Sequence, residues 1–468
     1  MNKRIYFSVE TKVRELNARI LFAIYASLRN YSTVIGSRGR ILKYRKYMQK
    51  GIIIFNGITI GLVNELRKFK SLGFSVGNFD EEGLISFSFS HHTFRYDYNM
   101  FEVVDFLFAW GEREKDAILH NKLKYYPERK IIVTGNPRLD LIKSKLSVMF
   151  DEDSKKINKK YGNFILITTM FPKTNYLQRS NSGNNYLNAI TLSGYIRRDI
   201  DKYIADESVN NENFTRQELM RFITIFSQSF PEKKILIKPH PSENFQTWID
   251  FVQKLKNNNI IVINVNEYQT NSFIKACDFL IASNCTTLVE GSFLNKAVIN
   301  FIPYKNSEVN FELPQVVSHN LTTVIELINF LKKDNFLIKQ KVLSEEEKKV
   351  LNYTIKNLDI TDASKLMLDF FDNNIKLNNI YSDRNYPISI DIFSNIKGRL
   401  VEILNLIQNK NNKYKSNLID YQKQKNPGFT VNELIIRKNL ICSILNIDPS
   451  TINIKEIYRG LYEFSKLN

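Results

Sequence analysis

The chain has 468 residues, 43% hydrophobic and 24% charged, the balance of a globular protein with room for two or three domains. Three cysteines, Cys277, Cys285 and Cys442, exclude a disulfide framework or a zinc pattern and point to a reduced compartment. The net charge of +18 calls for an anionic partner, whether nucleotide, nucleic acid or acidic membrane surface, although Lys and Asn are abundant throughout.

Met1-Asn2-Lys3-Arg4 runs straight into an apolar segment, so no signal peptide is expected, and residues 20–28 are too few to span a bilayer. Residues 5–9 read as a strand, and 12–28 as an amphipathic helix with Val13, Leu16, Ile20, Ala23 and Ile24 on one face. Strands follow at 31–35 and 51–55, with a helix at 62–72. No GxGxxG follows the first strand, so a dinucleotide fingerprint is absent. Residues 74–79 run into Asp80-Glu81-Glu82-Gly83. Packed carboxylates raise one another's pKa, which suits a general base or a divalent cation; a solvated turn explains the same residues. His91-His92 end an alternating Phe/Ser run and read as surface histidines on a half-buried strand. Strands at 103–109 and 130–134 end in Trp110-Gly111 and in Gly135-Asn136-Pro137-Arg138, turns that could face the same cleft. Residues 1–150 are thus expected to form one α/β domain.

Asp151-Glu152-Asp153, among lysines, reads as a charged linker, and Asp199-Ile200-Asp201 as a surface position. A second α/β domain is expected at 161–331, opening with a strand at 164–168, with a polar loop at 178–185. Its centre is the stretch 234–303. Apolar Ile235-Leu236-Ile237 ends in Lys238-Pro239-His240-Pro241-Ser242-Glu243. Residues 279–282 end in Ser283-Asn284-Cys285-Thr286-Thr287-Leu288-Val289-Glu290-Gly291, and a third run follows at 297–301. Short apolar runs alternating with helical patterns read as βαβ units of a parallel sheet, whose ligands bind beyond the strand carboxyl ends. Both polar clusters fall there. A helix start at Ser283, Asn284, Thr286 and Thr287 favours a phosphate, and equally reads as an ordinary cap. Glu290, one turn on, suits a ribose. His240, held between Pro239 and Pro241, and Lys238 offer donors to a diphosphate or phosphodiester. Tyr304 suits base stacking or packing. Residues 332–468 read as a helical extension, with helices at 344–357, 363–371, 390–408 and 431–445. Its lysines Lys410, Lys413, Lys415, Lys423 and Lys425 suit a membrane-surface face or a solvated one.

Two α/β domains, a phosphate-type site in the second and an acid in the first, suit a GT-B glycosyltransferase. The series Asp80-Glu81-Glu82-Gly83, Gly135-Asn136-Pro137-Arg138-Leu139-Asp140, the His-Pro segment and the Ser283–Gly291 segment resembles bacterial surface-carbohydrate biosynthesis proteins of GT-B type over roughly 1–330. The acidic, His-Pro and Ser/Thr series is also similar to bacterial sialyltransferases and capsule Kdo transferases, which use CMP-activated sugars. The resemblance implies that Asp80, Glu81 or Glu82 is the base for the acceptor hydroxyl. It implies that His240 meets the CMP phosphate together with Ser283, Thr286 or Thr287.

The expected function is therefore transfer of a nonulosonate or Kdo from a CMP-linked donor to a glycan or lipid-linked acceptor. No metal or other cofactor is required, because His240, Lys238 and the helix start take its place, and Pro241, Asn284 and Glu290 complete the nucleotide site. Asn136 and Arg138 are placed at the acceptor. The expected location is cytoplasmic, with possible peripheral contact at the inner face of the membrane. Transfer of a CDP-linked polyol phosphate and nucleotide-sugar epimerisation are alternatives. A basic nucleic-acid-binding protein would explain the charge, but no nucleic-acid module is visible, so nucleic acid is not an expected partner.

Overall fold

The computed structural model describes residues 3–57, 60–85, 98–120, 127–143, 145–176, 183–192, 196, 198–264, 266–333, 335–359, 361–374 and 424–467. His91, His92 and the expected helix at 390–408 lie outside them, as do Lys410, Lys413, Lys415 and Lys423. The fold is α/β, with two sheets. The first contains β1 (Lys3–Val9), β2 (Tyr31–Ser37), β3 (Ile52–Asn56), β4 (Ser75–Phe79), β5 (Phe106–Ala109), β6 (Ile131–Val133), β13 (Ile452–Tyr458) and β14 (Leu461–Lys466). Their order is β13-β14-β2-β1-β3-β4-β5-β6. The second contains β7 (Ile165–Thr168), β8 (Ile235–Lys238), β9 (Ile260–Val262), β10 (Leu280–Ala282), β11 (Val298–Phe301) and β12 (His319–Leu321), ordered β12-β11-β10-β7-β8-β9.

Strands β1 to β6 pair in parallel, as does every strand of the second sheet. Parallel strands need crossover connections and are covered on both faces, which is why β1, β3, β8 and β10 read as unbroken apolar runs. Phe7 on β1 lies opposite Ile35 on β2 and Ile54 on β3, all fully buried. Among the described residues, no helix is long and apolar enough to cross a membrane.

Three expectations need correcting. The helix Lys12–Leu28 is not amphipathic in place: every residue from Glu15 to Ser27 is buried. Its second face is covered by the helices Ala363–Asn374 and Val431–Leu445, which return from the far end of the chain. The expected linker after residue 150 is the helix Asp151–Tyr161, whose acids occupy its first turn, where the helix dipole favours them. Its Ser154, Ile157 and Tyr161 are buried, and it packs on the helix Thr270–Ala276. The surface position expected for Asp199-Ile200-Asp201 is observed: Asp199 and Ile200 are exposed at the start of a 31-residue helix, Asp199–Ser229. Finally, the C-terminal segment is helical only in part, because β13 and β14 form an antiparallel hairpin that extends the first sheet at β2. Alternation in 452–466 carries that signal, with Leu461, Tyr462 and Phe464 buried.

The hairpin docks where Gly36 on β2 lacks a side chain. A Cβ there would lie 2.2 Å from Leu461 Cδ2 and 2.7 Å from the Gly460 carbonyl oxygen. Gly39, three residues on, has nothing within 4 Å of its Cβ position. Gly36→Val is therefore expected to cost about 2 kcal/mol by overpacking, whereas Gly39→Ala leaves stability unchanged or slightly raised. Denaturant unfolding of the two variants checks this; equal midpoints would mean that the hairpin does not dock on β2 as described.

Candidate active site

In an open parallel sheet, the crevice for a ligand opens where the strand order reverses. In the second sheet this point lies between β7, which leads outward to β8 and β9, and β10, which leads outward to β11 and β12. The hydroxyls of Thr168, ending β7, and Thr287, in the first turn after β10, lie 2.7 Å apart across it. The helix Thr286–Phe293 starts there with no side-chain cap, so its first-turn N–H groups and dipole are directed at whatever anion binds. Ser283 lines a cavity of about 30 Å³ beside the crevice, with Lys173, Glu212, Thr215 and Phe311.

Beyond β8, the His-Pro segment is built around Glu243. This fully buried carboxylate accepts hydrogen bonds from Thr169 Oγ1 at 2.6 Å, Trp248 Nε1 at 2.9 Å, Phe171 N at 3.1 Å, Asn175 Nδ2 at 3.2 Å and His240 N at 3.3 Å. It ties the loop after β7 to the loop after β8. The His240 ring is oriented by its own segment: Ser242 N donates to Nδ1 at 3.2 Å. In the neutral ring the proton is then on Nε2, which is a donor. Burial and the charges of Arg14 and Lys425 push the imidazole down to about 3, with Glu82 acting in the opposite direction. His240 is therefore neutral at physiological pH. The four charged or titrating groups come from three places: Arg14 and Glu82 from the first domain, His240 from the second, and Lys425 from the C-terminal segment.

The first sheet reverses between β1 and β3, and a buried charge network fills the region beyond them. Glu15, fully buried, accepts from Glu10 N at 2.7 Å, Thr11 N at 3.2 Å, Arg14 Nη2 at 2.9 Å and Asn56 Nδ2 at 3.1 Å. Arg19, also fully buried, donates to the Ser8 carbonyl at 3.2 Å, to Asn56 Oδ1 at 3.3 Å and to Glu81. Arg138 donates to the Glu81 carbonyl at 3.4 Å, lies 3.6 Å from the Glu81 carboxylate and donates to Glu290 on the second domain. Burial would raise the Glu81 carboxyl, but Arg19, Arg138 and Arg14 outweigh it and hold it ionised below the usual carboxylate range.

These bonds sort the predicted residues. Glu81 is spent on arginines and, with its pKa lowered, makes a poor proton acceptor. Asp80 is buried and shapes the turn: its Oδ1 accepts from Glu82 N at 3.0 Å and its carbonyl from Trp110 Nε1 at 2.6 Å. Gly83 is required here, because a Cβ would meet the Trp110 ring at 2.8 Å. Glu82 is the exposed member of the three. The motif therefore does not converge as a metal site, and among the described residues no group of three His, Cys, Asp or Glu side chains is placed to hold an ion.

Asn136 is fully buried and cannot touch an acceptor: it caps the helix Pro137–Asp140, with Oδ1 accepting from Arg138 N at 2.7 Å, and its amide reaches Glu81 at 3.4 Å. Arg138 is a bridge between the domains rather than an open acceptor-binding group. The amide of Asn284, with φ of 46°, joins Asn310 Oδ1 at 2.8 Å and Phe311 N at 3.1 Å, so its side chain is structural. Glu290 is paired with Arg138, which competes with a ribose. Lys238 is buried over the Phe273 ring at 4.8 Å, where burial, against the Glu267 charge, pushes it down to about 7. Tyr304 packs on Phe214 and donates to Glu207 at 3.1 Å. The Pro241 carbonyl accepts from Gln424 at 2.7 Å.

Sequence reasoning missed Arg14, Glu15, Arg19 and Glu243. For the first three the available signal was a set of charges, expensive to bury unless paired, within a helix otherwise made of Leu16, Ala18, Ile20, Leu21 and Phe22.

No protein-family model and no curated protein matches this chain. Among solved structures, it is similar to the UDP-GlcNAc 2-epimerase of Methanocaldococcus jannaschii in complex with UDP-GlcNAc and UDP, at 13% identity over 80% of this chain and 99% of that one, TM-score 0.49. The UDP-GlcNAc 2-epimerase of Neisseria meningitidis bound to UDP-GlcNAc overlaps at 15% identity over 80% and 100%, TM-score 0.47. The wall teichoic acid polymerase TagF overlaps at 11% over 79% and 88%, TM-score 0.47. Likenesses this loose bear on neither substrate nor reaction. The two-domain α/β architecture rests on the sheets themselves.

Glu10, at the end of β1, faces Lys425 at 3.1 Å and Arg38 at 3.6 Å. Burial would raise its carboxyl, but Lys425, Arg38 and Arg14 hold it at about 2, against an ordinary value of 4.5. Its contribution is therefore fully present above pH 4.5 and is lost as pH falls toward 2. With the side chain 32% exposed, that contribution is about 1 kcal/mol. Glu10→Gln should be less stable than the parent at pH 7, with the gap closing across that acid window; a gap independent of pH would contradict the pairing.

Proposed function

We propose that this protein is a glycosyltransferase of GT-B type that moves a sugar from a nucleotide-activated donor to a hydroxyl acceptor. The first donor class to test is CMP-linked nonulosonate or Kdo, and the acceptor class is a surface glycan or a lipid-linked glycan. The observation that carries the reading is the meeting of His240, a neutral donor of fixed tautomer, with the charges of Arg14, Lys425 and Glu82 at the junction of the two domains.

In this reading the donor phosphate sits against the helix start at Thr286 and Thr287, with the Nε2–H of His240 donating to it. A neutral imidazole suits that task, since it gives a hydrogen bond without first having to gain a proton. As the glycosidic carbon–oxygen bond to phosphate breaks, charge grows on the phosphate oxygens, and these donors stabilise it most at that point. The acceptor hydroxyl approaches from the first domain. Glu82 takes its proton as the new bond forms, and it is favoured over Asp80 and Glu81 because those two are committed to the turn and to the arginines. Positive charge and helix N–H groups together supply what a divalent ion would otherwise supply, so the reaction is expected to proceed in EDTA. Closure of the cleft over the bound donor then excludes water.

Donor consumption and product formation with CMP-linked nonulosonate and Kdo test this, using a glycan primer. His240→Ala should lower kcat by roughly a hundredfold or more while the melting temperature stays within a few degrees. Glu82→Gln should lower kcat by roughly 10²–10⁴-fold with nucleotide affinity unchanged. The activity of wild type should show no inflection from His240 between pH 6 and 7. Full activity in both variants would overturn the assignment, and transfer of polyol phosphate from a CDP-linked donor instead would change the donor class while keeping the site.

A further inference from the structure

The small cavity beside the helix start after β10 is enclosed by the loop after β7, the helix Asp199–Ser229 and the segment that follows β11. Its volume is about 30 Å³. A water-sized group needs roughly 10–15 Å³, so the space takes about two or three heavy atoms, a substituent and not a sugar ring. Met170, Phe171 and Val309 give it an apolar wall, and Lys173, Glu212 and Ser283 give it polar groups.

The rest of the polar lining is committed within the second domain. Asn211 Nδ2 donates to the Val309 carbonyl at 3.2 Å, and Asn211 Oδ1 accepts from Thr215 Oγ1 at 2.9 Å. Asn284 is spent on Asn310 and on Phe311 N. The Ser208 hydroxyl donates to the Ala205 carbonyl of its own helix at 2.8 Å. These bonds fix the walls before a ligand arrives. Glu212 accepts from Lys173 N at 2.8 Å and lies 3.0 Å from Lys173 Nζ. A carboxylate has about four lone pairs, so Glu212 can accept a further N–H. Among the described residues the Ser283 hydroxyl has no hydrogen-bond partner, so it can donate to a ligand. One small space thus combines an acceptor, a donor and an apolar wall. These match the N–H, the carbonyl oxygen and the methyl of an acetamido group, whereas a hydroxyl would leave the apolar wall unfilled.

The place of the cavity agrees with its chemistry. Ser283 opens the turn whose helix start is assigned to the phosphate, and the charge of Glu82, on the first domain, acts on Lys173. The cavity therefore borders both the phosphate turn and the base, where the transferred sugar has to sit. We propose that this cavity receives the N-acyl group of the donor sugar, and that the donor is an N-acylated nonulosonate rather than Kdo, which carries hydroxyls but no acylamino group. This rests on the donor reading above and narrows it to one of its two classes.

Isothermal titration of the full-length protein with four probes tests the proposal: CMP, CMP-N-acetylneuraminate, the same donor with a hydroxyl in place of its acetamido group, and CMP-Kdo. A missing group in a fitted pocket is worth roughly 10–200-fold, so wild type should bind the acetamido donor roughly tenfold or more tightly than either of the other two donors. Ser208→Leu places side-chain carbon in the cavity and should erase that preference while CMP affinity stays at the wild-type level. Ser283→Ala removes the hydroxyl without filling the space and should reduce the preference by a smaller factor. If wild type binds CMP but holds the acetamido and hydroxyl donors equally, the subsite is overturned while the donor reading stands, whether or not the leucine variant folds. A preference that survives both substitutions puts the acyl group elsewhere and also overturns it. A wild-type protein that binds neither CMP nor any of the donors overturns both readings.

Discussion

Arg138 holds this molecule in its described arrangement. Its guanidinium reaches Glu81 in the first domain and Glu290 in the second, and each of these carboxylates is buried. An uncompensated buried charge costs several kcal/mol, so the guanidinium is needed at that depth. Arg19 supplies the second cation, so that two guanidiniums meet two carboxylates across the interface. The turn that presents Glu82 is thereby anchored through Glu81, its neighbour in sequence. The helix that presents Thr286 and Thr287 is anchored through Glu290, one turn further on. One ion bridge thus ties the Glu82 turn of the first domain to the Thr286 helix start of the second.

The second domain uses the same logic with a different anchor. Glu243 gathers donors from the loops after β7 and β8 and from Trp248, so the His-Pro turn is fixed from beneath. His240 is then oriented by Ser242 and kept neutral by burial and nearby cations. Groups locked before substrate arrives need little reorganisation during reaction, which is the physical content of a preorganised site. Asp140 plays a comparable structural part further away. It caps the helix Ala363–Asn374 from outside, accepting from Ala363 N at 2.9 Å and Ser364 N at 3.0 Å, and so draws the C-terminal part of the chain onto the first domain.

Much of the fold was legible because parallel strands are apolar throughout and end in polar turns. Residues 235–237, 279–282 and 297–301 stand out for that reason and became β8, β10 and β11. The short strands β9 and β12 have three residues each and little alternation, and were not read. The positions of Glu82, His240 and Thr286 at strand ends were legible too. What could not be read was which polar residues in a motif face inward. Asp80, Glu81 and Glu82 are adjacent and alike in sequence; only the arginines brought in from residues 19 and 138 distinguish them. Lys238 and Asn284 look like ligand groups in one dimension and are committed to Phe273 and Asn310 in three. The contacts of residues 424–426 were invisible because their partners lie at Val9, Glu10, Pro241 and Glu243, far away in the chain.

The central claim is that the crevice between β7 and β10 takes the phosphate of a cytidine nucleotide without a metal ion. The most direct measurement is the melting temperature of the full-length protein with CMP, CDP, UMP, UDP and GDP, each in EDTA and in magnesium. A ligand that binds only the folded state raises that temperature in proportion to its occupancy. The account predicts stabilisation by CMP in EDTA, undiminished relative to magnesium. An unchanged melting temperature with all five nucleotides, or a rise that requires magnesium, would contradict it.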